Sequence, residues 1–230
     1  MALDYLEILR TISGRADYYE SDPPRTYATP KRPELGKLVH PEWLPDQLYA
    51  FLSVFNGYTQ PWHTETTLPE GPALVSGRID IQRLQDICAS WEGIVYFEEF
   101  LQAPDAPAEQ QRLRDFKVVD MYNDESAVGL YLTAARDPEL YRCSLGEELP
   151  EPLGVDFDGY LQLLTLSLGH SYGTVLMREL HLHFTTQPDQ PFAGPSYPAS
   201  QIFVVKMTAV LPEFSLDAFV HLYDQVRLRR

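Results

Sequence analysis

Leu44-Pro45-Asp46-Gln47-Leu48-Tyr49-Ala50-Phe51-Leu52-Ser53-Val54-Phe55-Asn56-Gly57 is the stretch on which the reading of the fold turns. Leu44, Leu48, Phe51, Leu52 and Phe55 recur three and four residues apart and line one face of a helix. Pro45 near its start fits a first turn whose amide needs no partner, and Asn56-Gly57 supplies a left-handed stop. A stripe of this width has to be covered by a second layer of structure.

Working outward, Leu3, Leu6, Leu9 and Ile12 predict a short helix over residues 2–12, ended by Ser13-Gly14. Prolines 23, 24, 30, 33 and 41 make residues 21–41 an extended connector. Beyond Gly57, residues 58–73 read as turn-rich, Val75 to Ile81 as a strand, and Leu84 and Ile87 as part of a short helix. Residues 102–114 read as an inserted loop. Phe116 to Met121 and Val128 to Leu132 predict two strands joined by the acidic turn Asn123-Asp124-Glu125-Ser126, with Tyr141 to Leu145 a third. Asp156 caps a predicted helix with Tyr160, Leu161, Leu164 and Leu168 on one face and Gly169 just beyond it. Val175 to Thr185 and Ile202 to Val210, rich in β-branched and aromatic residues, are expected to pair as strands around a Pro-rich loop, 186–200. A last helix over 216–228 has Ser215 as its cap, Phe214 and Phe219 as a hydrophobic staple, and Arg227, Arg229 and Arg230 at its negative end. Helices and strands mix without β-α-β alternation. The expected class is α+β: a mixed, largely antiparallel sheet with helices packed around it, plus a C-terminal β-hairpin and helix.

With 44% apolar residues in 230, the chain can build a core without staples. Cys88 and Cys143 are too few for a disulfide framework. The segment Met1-Ala2-Leu3-Asp4-Tyr5-Leu6-Glu7 carries acids where a secretory signal has bases, and no apolar run approaches membrane-spanning length. A cytoplasmic location is therefore expected. The net charge of −15 disfavours nucleic acid and anionic membranes as partners. It is also uneven, since residues 80–160 hold 18 acids and 6 bases. A negative face of this kind attracts a basic protein.

The 44–57 stretch resembles the opening helix of the SUKH superfamily, the Smi/Knr-like proteins. Phe116 to Leu132 is similar to that family's central hairpin, and Val155-Asp156-Phe157-Asp158-Gly159-Tyr160-Leu161 to its closing S/D-F-x-x-[FY]-L helix. The resemblance divides the chain into an N-terminal helix and connector (1–34), a SUKH-like domain (35–170) and an extension (171–230) packed on the same domain. It departs from the family at the hairpin turn, usually glycine-rich and here acidic, and in the last sixty residues. The resemblance implies a non-enzymatic protein-binding module without a cofactor, most simply a bacterial immunity protein that occludes a basic toxin domain. A regulatory scaffold of the same fold is the alternative. Asp120, Asp124 and Glu125 are expected on the binding face, joined by Glu98 and Glu99.

Rival chemistries are readable too. Gly169-His170-Ser171-Tyr172-Gly173 matches G-x-S-x-G, in which a serine sits exposed on a strand-to-helix turn; Ser171 with His221 and Asp189 or Asp217 would make a small hydrolase. The run before Gly169 has helical period, and only a short stretch follows for the remaining strands. His181 and His183 would share a strand face and could start a zinc site, but further ligands are not evident in sequence. Asp115-Phe116-Lys117 matches only the end of a nuclease constellation. Trp43, Trp62 and Trp91 read as packing residues. No catalytic or metal-ligating residue is assigned.

Overall fold

The computed structural model describes residues 3–16, 19–27, 40–88, 107–144 and 149–229. Helix α1 (Tyr5–Ala16) buries Leu9, Ile12 and Ala16. It runs straight through Ser13-Gly14, where a stop was expected. A helical glycine costs about 1 kcal/mol against alanine, and here the turn beyond it is anchored: Ala16 is buried and the Arg15 guanidinium pairs with Glu213 at 2.9 Å. Two short strands follow, β1 (Glu20–Ser21) and β2 (Arg25–Thr26).

Helix α2 (Asp46–Phe55) follows the decisive stretch closely, with Pro45 before its first residue and Leu48, Phe51 and Leu52 buried. Asn56 takes the left-handed conformation at φ 43° and Gly57 continues it at φ 103°. The asparagine does more than turn the chain. Fully buried, it accepts from the Leu84 amide at 3.0 Å, so the end of α2 is tied to the start of α3 (Leu84–Ile87).

Between those helices lies the first large correction. Residues 58–73, expected to be turns, form β3 (Tyr58–Leu68), which pairs with β4 (Gly71–Ile81) in continuous register from Tyr58↔Ile81 to Leu68↔Gly71. Tyr58, Gln60 and Trp62 point inward while threonines and Glu65 alternate beyond them, a period-2 pattern that Pro61 obscures. Pro61 faces Arg78, whose amide turns away from β3 to the Gly169 carbonyl at 3.1 Å. The missing proline donor therefore leaves no gap in the ladder.

The single-turn helix α4 (Ala108–Gln111) and a 3-10 turn at Arg112–Asp115 occupy the described part of the expected insertion, whose residues 102–106 lie outside the described ones. Next come β5 (Phe116–Asp120), β6 (Ser126–Tyr131), β7 (Tyr141–Ser144) and β8 (Glu151–Pro152). Among the described residues the sheet has eight strands in the order β1-β3-β4-β5-β6-β7-β8, with β2 also on β3. Every pairing is antiparallel, so the mixed sheet that was expected is uniform here. The class is α+β.

Asp156 accepts from the Gly159 amide at 2.8 Å and starts α5 (Phe157–Ser167), which ends on left-handed Leu168 and Gly169. The expected C-terminal β-hairpin is instead a pair of helices, α6 (Gly173–Thr186) and α7 (Pro198–Val210). Valine, isoleucine and phenylalanine suggested strands there. Yet the buried residues Leu176, Met177 and Leu180, then Phe203, Met207 and Val210, repeat every three or four positions. Tertiary burial outweighs β propensity. Helix α8 (Leu216–Val226) closes the fold with Ser215 accepting from the Ala218 amide and Phe214 tilted against Phe219, their rings 6.2 Å apart.

One apolar cluster runs from Leu9 in α1 through Trp62, Val128 and Tyr160 to Tyr223 in α8. A smaller cluster, Leu113, Phe116, Val118, Ala127 and Cys143, covers part of the other face of β5 and β6. All five residues of β5 are consequently buried. Among the described residues no helix is long and apolar enough to cross a membrane.

Candidate functional site

The β5–β6 hairpin presents the acidic turn. Asn123 accepts from the Glu125 amide at 2.8 Å, a local bond that shapes the turn and throws the next two side chains outward. Asp124 and Glu125 are both exposed. The Arg78 guanidinium on β4 comes to 4.0 Å from Asp124. Behind the turn, the Ser126 and Ser144 hydroxyls meet at 3.0 Å and hold β6 to β7.

Asp120 does not share that face. It is fully buried, accepting from the Asp80 amide at 2.7 Å and from the Tyr160 hydroxyl at 2.8 Å. The physical reason is a bulge. Val118 pairs with Gly129 and Asp120 with Val128, so Val119 is an extra residue and Asp120 turns beneath β4. Burial pushes its carboxyl up to about 7, against the pull of the Asp80 amide and the Tyr160 hydroxyl. The Tyr160 hydroxyl is itself pushed up, first by burial and then by Asp120. Asp80 accepts from Thr59 Oγ1 at 2.8 Å and pairs with Arg78, so a polar chain leads from the core to the acidic turn. Glu98 and Glu99 lie outside the described residues, as does Trp91.

The rival chemistries meet different surroundings from those they need. Ser171 stands between α5 and α6, on a helix-to-helix turn, with Thr174 Oγ1 donating to its carbonyl at 3.0 Å. His221 on α8 is exposed and meets Gln225 at 2.9 Å. His181 and His183 ride on α6, not on a strand. Two residues apart on a helix, they point to different sides, and His183 Nε2 meets the Gln190 carbonyl at 2.9 Å. Trp62 is core, its indole donating to the Leu168 carbonyl at 2.6 Å. Trp43 stacks on His40 with rings 3.6 Å apart.

Two of the concavities among the described residues lie against the C-terminal helices and escaped the sequence reading. One, of about 530 Å³, includes Glu139, Tyr141, His181, Phe184 and Arg227. In it the Tyr141 hydroxyl donates to Glu139 at 3.1 Å and Arg227 pairs with Asp224 at 2.6 Å. The other is a groove of about 620 Å³ between the β3–β4 tip and α7, walled by Leu68, Glu70, Tyr172, Ile202, Val205 and Lys206. The apolar run Ile202-Phe203-Val204-Val205 was its signal. Read with helical period, Phe203 turns inward and leaves Ile202 and Val205 on the outside.

The chain matches nothing compared with it. No family model, curated protein or solved structure shows significant similarity.

Proposed function

We propose that the chain is a SUKH-type protein-binding module, cytoplasmic and acting without bond-making chemistry, and that it is an immunity protein covering the basic groove of a toxin. The arrangement of the three resembling pieces supports this reading. Phe51 of α2 packs against Phe157 of α5 with rings 5.1 Å apart, and Tyr160 of α5 bonds Asp120 of the hairpin. Together they form a rigid mount for a loop.

The observation that carries the reading is the outward pair Asp124 and Glu125 at the tip of that hairpin, in a chain of net charge −15. Exposed acids of this kind speed encounter with a basic surface, while buried aromatic anchors on the contact set its lifetime. Asp120 has no part in the contact.

The test uses the product of the gene adjoining this one. Co-expression is expected to relieve the toxicity of that product. Reversal of both acids (Asp124→Lys with Glu125→Lys) is expected to lower the association rate about tenfold at low salt and flatten its salt dependence. An unchanged rate and slope would remove the hairpin tip from the interface. Absence of any toxicity to relieve would leave the scaffold reading of the same fold in its stead.

A further inference from the structure

Helix α7 reads Pro198-Ala199-Ser200-Gln201-Ile202-Phe203-Val204-Val205-Lys206-Met207-Thr208-Ala209-Val210, with Lys206 its only charge in a chain that is 22% charged. Its inner side is accounted for by Ser200, Phe203, Met207 and Val210, all buried. Its outer side is not. Gln201, Ile202, Val205, Thr208 and Ala209 are exposed and fall within one arc of the helix. Val205, 42% exposed, stands at its centre and Ile202, 43% exposed, at the edge nearer Lys206. Gln201, Ile202 and Val205 of that arc line the 620 Å³ groove, together with Tyr172 and with Leu68 and Glu70 at the β3–β4 tip. An apolar helix face running into an apolar groove is the usual form of a helix docking surface.

We infer that this surface is the interface of a two-fold homodimer, in which α7 of one copy lies antiparallel to α7 of the other and fills its groove. The occupant follows from charge. Two copies of a chain at −15 repel wherever acids meet acids. The α7 face carries no acid, so two copies meet along it without acid-on-acid repulsion. The two charges at the groove edge also have opposite signs. Glu70 sits on the hairpin wall, and Lys206 leans over the Tyr172 ring at 5.9 Å. A two-fold axis brings like patches together and exchanges such a pair, setting each Lys206 against the Glu70 of the second copy. Thr208 and Ala209 are small enough to let the helix axes approach closely. The contact is limited by a helix of about 20 Å, which is near the lower end of stable interface areas, so a dissociation constant in the micromolar range is expected. The interface is separate from the acidic hairpin tip and independent of any toxin.

Sedimentation equilibrium of the full chain between about 1 and 200 µM tests the inference. The expected result is a mass rising with concentration from 26.3 kDa toward twice that value. Ile202→Glu and Val205→Glu, each placing two added acids across the axis, are expected to weaken the dimer at least tenfold while the circular dichroism spectrum and melting temperature stay those of the wild type. Glu70→Lys and Lys206→Glu are each expected to weaken it, and the double exchange to restore it, a pattern that loss of folding does not mimic. A wild-type chain monomeric throughout, or a dimer indifferent to Ile202→Glu and Val205→Glu, overturns the interface. Failure of the double exchange to restore the affinity overturns the antiparallel pairing.

Discussion

Asp120 makes the stability of this protein depend on pH in a direction opposite to that of most carboxylates. Its ordinary value is 3.8, and burial raises the folded value to about 7. The groups that face it are the Asp80 amide and carboxylate and Arg78 on β4, and Tyr160 on α5. Because the folded state holds the proton more tightly, folding takes up a proton between these two values. The stabilisation is complete below the unfolded value, falls as pH rises, and is gone above about 7. The gap of about three pH units corresponds to about 4 kcal/mol. Asp120→Asn removes the titration and keeps the geometry: the amide oxygen still accepts from the Asp80 N–H, and the amide NH2 donates to the Tyr160 oxygen. Urea unfolding of both proteins from pH 4.5 to 8.5 isolates the effect, since other groups cancel in the difference. The wild type is expected to lose stability relative to the variant by about 1.4 kcal/mol per pH unit up to neutrality, then to level off. Parallel curves across the range would refute the reasoning, because a carboxyl that titrates alike in both states adds no slope.

Two further predictions concern the joints of the fold. Asn56→Ala strands the buried Leu84 amide and leaves at φ 43° a residue without asparagine's tolerance of the left-handed region, for a loss of about 2–4 kcal/mol in chemical denaturation; Asn56→Gly should recover only the backbone part, and a glycine variant as stable as the wild type would show that the side-chain bond contributes nothing. Gly169→Ala sets a β-carbon 2.3 Å from the Arg78 carbonyl at φ 70°, so thermal melting should show a loss of about 2 kcal/mol or more, and an unchanged melting temperature would deny the close approach.

The parts of the fold readable in advance are those whose ends are chemically marked. Asn56-Gly57 bounds α2, Asp156 starts α5, and Ser215 starts α8, because caps are local and need no knowledge of what packs nearby. The β5–β6 hairpin was readable for the same reason, through its polar turn. Misreadings occurred where a distant contact decides. Pro61 argues against a strand until Arg78 is seen to turn its amide to Gly169. Val175 and Ile202 argue for strands until the core on which α6 and α7 lie is known. Asp120 was misjudged through the bulge at Val119, which no alternation rule anticipates. The acidic turn was legible as exposed; the groove beside α7 was not, because it exists only once α7 is a helix.

Among the described residues, β4 and β5 share a single register pair, Ile81 with Asp120, reinforced by Gln82 donating to Val119 at 2.7 Å and Met121 to Asp80 at 3.1 Å. The broad sheet is thus two smaller ones sewn by a short seam, and a side chain supplies one of the stitches. Across that seam Tyr160 acts as a splint. Cooperative melting of the whole sheet therefore depends on α5 remaining docked; once that helix lifts, each half has its own hairpin ladder and no main-chain reason to fail together with the other.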